Sequence, residues 1–131
     1  MRIWPWVALG SALGGTARFV THELLHSLWP HPFPWTTLLI NVLGSFVIGY
    51  IASLSEPGGR VMLPTHVRQF LMTGVCGGYT TFSILSLETL VLLEHAPVLG
   101  LLNLVATATA CLLAVWAGFA LAARHNRLVR S

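Results

Sequence analysis

The stretch Gly74-Val75-Cys76-Gly77-Gly78-Tyr79-Thr80-Thr81-Phe82-Ser83 sets three glycines and three Ser/Thr hydroxyls inside a segment that otherwise reads as an apolar helix. Glycine costs about 1 kcal/mol relative to alanine in a helix interior, and two of these are adjacent. In lipid a helix must satisfy its backbone polar groups internally. The run therefore reads as a break built into a membrane helix. Such breaks present backbone carbonyls and helix ends to an ion.

The rest of the chain supports the membrane reading. Of its 131 residues, 55% are hydrophobic and 8% charged, and the mean hydropathy is +0.76. That balance fits an integral membrane protein and excludes an ordinary soluble domain. Asp and Lys are absent, so all 7 basic residues are Arg. They gather at the ends of apolar runs, where they bear on topology and not on nucleic acid. Cys76 and Cys111 lie within apolar runs and read as small buried residues. The start, Met1-Arg2-Ile3-Trp4-Pro5-Trp6, lacks a clear signal-peptide core and cleavage site, so the first span is expected to be retained.

The fold expected is all-α: one membrane domain over residues 1–131, with spans at about 4–25, 35–54, 66–93 and 96–123 and the third broken near 76–80. Trp4 and Trp6 suit an interfacial belt. Gly10, Gly14 and Gly15 in the first span, and Gly44, Ser45 and Gly49 in the second, offer small faces for close helix contact. Three prolines at alternate positions, Pro30, Pro32 and Pro34, forbid a helix between these spans. Thr65 is expected to cap the third span. In the fourth, Ala106, Ala110, Ala114, Gly118 and Ala122 recur every four residues as a packing stripe. Four spans put Arg2, Arg60, Arg68, Arg124, Arg127 and Arg130 on one side, which predicts cytoplasmic termini.

Several polar residues call for a function. Arg18 lies roughly 20 Å along the first span, and an ionisable residue at that depth is a functional candidate by default, with Glu88 as its expected partner. The bland reading of Arg18 is snorkelling to an interface. Asn41 either faces a polar pathway or bonds a neighbouring helix. Thr80, Thr81 and Ser83 either bond back to their own helix or line such a pathway. The ring edge of Phe82 carries positive partial charge and suits contact with an anion. His22-Glu23-Leu24-Leu25-His26 matches the H-E-x-x-H zinc motif. The lack of an obvious third ligand favours an interfacial polar cluster instead.

The pattern Gly77-Gly78-x-Thr80-Thr81-Phe82-Ser83, followed by Glu88, resembles the Fluc (CrcB) fluoride-channel family. So do Gly14-x-x-x-Arg18 and Asn41-x-x-Gly44-x-x-x-x-Gly49. The resemblance implies antiparallel, dual-topology-type dimers of four-span subunits with two narrow pores, giving passive fluoride efflux across the cell membrane. It implies a structural sodium ion at the dimer interface, held by the carbonyls of Gly77 and Thr80 from both subunits. It places Asn41, Thr81, Phe82, Ser83 and Thr107 along the fluoride path, with Arg18 and Glu88 as vestibule or structural charges. Leu85 stands where the family commonly has a second Phe, and Asn103 where it often has Tyr. The partner is then a second copy or a paired paralogue of opposite orientation. The arginine bias and Leu85 favour the paralogue. Two other classes compete: a small four-span proton-coupled multidrug exporter, which wants a carboxylate deep in the first span where only Glu23 is near, and a non-transporting membrane assembly subunit.

Overall fold

The computed structural model describes residues 2–128, with the side chain of Leu128 excepted. Arg130 therefore lies outside the described residues. Every regular element among them is helical. Helix α1 spans Trp4–Leu28, with Pro5 in its first turn, where a missing N–H costs nothing. The Pro30–Pro34 stretch is not helical, and α2 follows at Trp35–Leu54. Gly58 turns the next loop with φ of 82°, in the left-handed region.

The third helical stretch is composite. It opens as α3, Thr65–Gln69. It widens into a π-helical segment at Phe70–Cys76 and returns to α geometry in the short α4, Gly77–Tyr79. Thr80 and Thr81 are extended, with ψ of 158° and 120°. Helix α5, Phe82–His95, then begins, its first turn capped by the Thr81 hydroxyl, which accepts from the Ile84 N–H at 3.2 Å. Departure from α geometry thus starts at Phe70, well before the glycine pair. Pro64 occupies the N-cap of α3, so Thr65 is its first helical residue and not its cap. Pro97 opens α6, Pro97–Leu128, directly after Ala96.

Three stretches among the described residues are long and apolar enough to cross a membrane: Trp35–Leu54, Thr65–His95 and Pro97–Arg127. Helix α1 carries Arg18, His22, Glu23 and His26 and is not in that set.

Packing follows two seams. Helix α1 lies on the π segment and α4, while α2 lies along α6. In the first seam a Cβ on Gly10 would sit 2.8 Å from the Cα of Gly74, and the reverse substitution would meet Gly10 at the same distance. In the second, a Cβ on Gly118 would strike the carbonyl of Phe46, and one on Gly49 the carbonyl of Val115. The buried residues of α6 are Gly100, Asn103, Thr107, Ala114, Gly118 and Ala122, whereas Ala106 is exposed. A strict four-residue repeat drifts off one face of a 3.6-residue helix, so the small-residue stripe is buried at Ala114, Gly118 and Ala122 and leaves the packed face towards Ala106. At one end of the bundle Trp6 packs on His66 with rings tilted by 45° and centroids 5.0 Å apart, the Arg60 N–H donates to Asn126, and Tyr50 bonds His125. The C-terminal ends of α1 and α5 lie at the other.

Gly118→Leu is expected to force α2 and α6 apart and to cost about 1–3 kcal/mol of overpacking. Ala106→Leu, on the exposed side, should cost less than half as much. Thermal unfolding of both variants in detergent measures the difference.

Candidate functional site

Two extended residues in mid-helix release backbone groups that the helical ladder no longer pairs. Side chains from the flanking helices take them up. Asn41 of α2, 6% exposed, brackets Thr81: its Oδ1 accepts from the Thr81 N–H at 2.7 Å, and its Nδ2 donates to the Thr81 carbonyl at 3.0 Å. Arg18 of α1 reaches the neighbouring residue, Nη1 donating to the Thr80 carbonyl at 3.2 Å. The Thr80 N–H and hydroxyl both donate to the Cys76 carbonyl at 3.0 Å. Each segment of the break is thus tied to a different helix.

A cavity of about 330 Å³ opens beside the break, lined by Asn41, Gly77, Thr80, Thr81, Phe82 and Thr107 among others. Leu85 and Cys76 supply apolar wall. Phe82, the first residue of α5, is 76% exposed, while Leu85 is buried. The Ser83 and Thr81 hydroxyls lie 3.2 Å apart. A Cβ on Gly77 would meet nothing closer than 3.9 Å, so its backbone faces open space.

A polar seam leads away from this cavity between α2, α5 and α6. One turn from Asn41, the Thr37 hydroxyl donates to Glu88 Oε1 at 2.8 Å. One turn from Thr107, Asn103 Nδ2 donates to the Thr89 hydroxyl at 3.0 Å. Thr81 and Glu88 are seven residues apart, roughly 10 Å along α5. Thr37, Asn41, Thr89, Asn103 and Thr107 are all buried. Three buried atoms have no hydrogen-bond partner among the described residues: Glu88 Oε2, Asn103 Oδ1 and Thr107 Oγ1. Beyond Glu88 a second cavity, of about 400 Å³, is rimmed by His22, His26, Trp29, His31, Phe33 and Trp35.

The structure brings Asn41, Thr80, Thr81, Phe82 and Thr107 around one cavity and gathers Arg18 to the same break. It does not join Arg18 to Glu88. Arg18 bonds the Thr80 carbonyl and Glu88 bonds Thr37, because the break offers Arg18 a nearer acceptor. Thr37 and Thr89 were missed by sequence reasoning. The available signal was spacing: Thr37 with Asn41, and Asn103 with Thr107, are each four residues apart and so share a helix face. In the H-E-x-x-H segment the His22 and His26 rings stack 5.8 Å apart, and His22 Nδ1 lies 3.7 Å from Glu23 Oε1. No group of three His, Cys, Asp or Glu among the described residues is placed to hold a metal.

A helical bundle with apolar, membrane-length helices, a broken helix and a buried polar seam defines an integral, multi-pass membrane protein with a site for a small polar species or ion. The chain belongs to the CrcB family: residues 5–119 match the family described as CrcB-like protein, Camphor Resistance (CrcB). It is 47% identical over 127 residues to the fluoride-specific ion channel FluC 1 of Rhodopseudomonas palustris, covering 96% of this chain and 90% of that one. It is 46% identical over 128 residues to the fluoride-specific ion channel FluC of Paramagnetospirillum magneticum, covering 97% and 100%. With the FluC channel of Opitutus terrae the identity is 44% over 131 residues, covering 98% of each.

Asn41→Leu should orphan both the N–H and the carbonyl of Thr81 inside the bundle, at about 1–3 kcal/mol for each group. Asn41→Asp keeps the acceptor for the N–H but sets a carboxylate oxygen against the Thr81 carbonyl. Both variants should unfold at lower temperature than the parent in detergent, with Asn41→Gln intermediate.

Proposed function

We propose that this chain is a fluoride-channel subunit that lets fluoride leave the cell passively across the cell membrane and so confers fluoride resistance. It is not an enzyme. The observation that carries the reading is the buried polar seam starting at the helix break, in a chain that matches fluoride-specific channels over nearly its whole length. Fluoride is small and strongly hydrated, so a pore must replace its water with hydrogen-bond donors. Hydroxyl and amide groups supply them. Thr107 keeps a hydroxyl without a partner, and Asn41 keeps one of its two amide hydrogens beyond the bond to Thr81. Thr81 and the exposed Phe82 ring extend this surface at the cavity, and the Ser83 hydroxyl, outside its lining, bonds the Thr81 hydroxyl.

In this reading α1 is a fourth membrane span, its Arg18 charge accommodated by the Thr80 carbonyl. Two subunits pack antiparallel, which covers the open cavity and the exposed Phe82. A structural sodium ion lies between them on the carbonyls of Gly77 and Thr80. The residues fit such an ion: Gly77 and Thr80 both line the open cavity, no side chain on Gly77 blocks the approach, and the Thr80 carbonyl has a second lone pair beyond the one given to Arg18. When bound, the ion supplies fixed positive charge near the anion path. Arg18 and Glu88 act as vestibule or structural charges. Arg2, Arg60, Arg68, Arg124 and Arg127 fall at the end of the bundle where α2 closes and α6 ends, a bias that supports cytoplasmic termini. Such a bias favours a partner subunit of opposite orientation over a second copy.

Proteoliposomes loaded with fluoride or chloride test the function. Once the electrical potential is relieved, only fluoride should leave. Equal release of both anions, or none with a partner subunit present, would defeat the proposal. Phe82→Ile is expected to depress fluoride flux at least severalfold while leaving assembly, read by size-exclusion chromatography, intact. Reconstituted alone, the chain should give little efflux if it is half of a pair, and robust efflux would rule out obligate pairing.

A further inference from the structure

The channel reading leaves the H-E-x-x-H segment unused. His22 and His26 sit four residues apart on α1, with rings nearly parallel (12°) and centroids 5.8 Å apart. Neither ring makes a hydrogen bond to another described residue, and both border the aromatic cavity beyond Glu88. Two imidazoles at this spacing can close on one metal ion. We propose that His22 and His26 chelate a divalent transition-metal cation of the nickel, copper or zinc class at the rim of that cavity, with water completing the coordination.

Three observations shape the site. Glu23 Oε1 lies 3.7 Å from His22 Nδ1. That is too long for a hydrogen bond, but the charge of a carboxylate there favours the proton on Nδ1 and leaves the Nε2 lone pair for the metal. The glutamate of the motif thus orients a ligand and is not a catalytic base. His31 borders the same cavity, but its Nδ1 accepts from the Phe33 N–H at 3.1 Å. That bond leaves its remaining proton on Nε2, so His31 is a neighbour and not a ligand. The sign of the field decides between cation and anion. Glu88 lines the cavity with one oxygen unpartnered, and no arginine lines it. Neutral imidazoles beside a carboxylate draw a cation, and imidazole nitrogen suits nickel, copper and zinc over magnesium or calcium. The proposal does not rest on the channel reading.

Nickel chloride titrated into the untagged full-length protein in detergent tests it by calorimetry. One nickel ion per chain is expected. His22→Ala and His26→Ala should each weaken binding at least about tenfold, and Glu23→Gln by less than either. Trp29 and Trp35 line the same cavity, so nickel should quench their fluorescence, and Trp29→Phe with Trp35→Phe should abolish most of the quench. His66→Ala, at the opposite end beside Trp6, should change neither readout. No binding, or binding that survives both His22→Ala and His26→Ala, overturns the proposal. So does quenching that persists without Trp29 and Trp35.

Discussion

Thr80 and Thr81 leave the helical ladder in the middle of an apolar bundle, and the groups they release have to be paired. In a hydrocarbon setting an unpaired amide or carbonyl costs several kcal/mol. Asn41 meets this demand twice, once as acceptor and once as donor to Thr81, and Arg18 meets it at the Thr80 carbonyl. Asparagine suits the bracket because one amide presents a donor and an acceptor side by side, matching the N–H and carbonyl of a single extended residue. The position of α2 relative to the break is then fixed by two hydrogen bonds. Every element of the polar seam that starts at Asn41 inherits that position.

The same economy explains why Arg18 can lie deep in α1. A half-buried guanidinium needs acceptors, and each carbonyl of a continuous helix already takes one ladder bond. The break frees one. The cationic side chain and the interrupted helix each supply what the other lacks. Glu88 is accommodated differently, through the Thr37 hydroxyl, which leaves its second oxygen unpaired. A bundle selected for stability alone would fill such positions with apolar side chains, since a half-satisfied polar network is worse than an apolar core. The unpaired atoms of Glu88, Asn103 and Thr107 are therefore the part of the core that packing does not explain.

Much of this was legible in residue types and spacing. The glycine pair and hydroxyl run announced a break, the prolines marked the loop before α2, and Asn41 and Thr107 stood out as polar groups within apolar runs. Other features were hidden for physical reasons. The π-helical segment at Phe70–Cys76 was not legible, because Gly74 within it reads equally as a packing glycine, and in the structure it does face Gly10 of α1. The partner of Arg18 was misjudged because a carboxylate can be seen in a sequence and a freed carbonyl cannot. The small-residue stripe of α6 is buried at Ala114, Gly118 and Ala122 but not at Ala106, because a four-residue repeat suggests a straight stripe that a helix does not keep.

The motif Gly14-x-x-x-Arg18 can now be read as a single device. Gly10, Gly14 and Arg18 fall at successive steps of four on α1, one face of the helix. At Gly10 the facing atoms are the backbone of Phe70 and Gly74; at Gly14 they are the backbone of Val75 and Tyr79. Side chains at those two positions would hold the helices apart. With glycine at both, α1 runs against the backbone of its neighbour, and the next step along the face arrives at Thr80. There the residue is no longer small but long and cationic, and it meets the first carbonyl the break sets free. Close approach and charge placement are thus consecutive turns of one face. The glycines bring α1 near enough for Arg18 to reach Thr80, and the stretch Gly74–Ser83 is shaped from one side by this contact and from the other by Asn41.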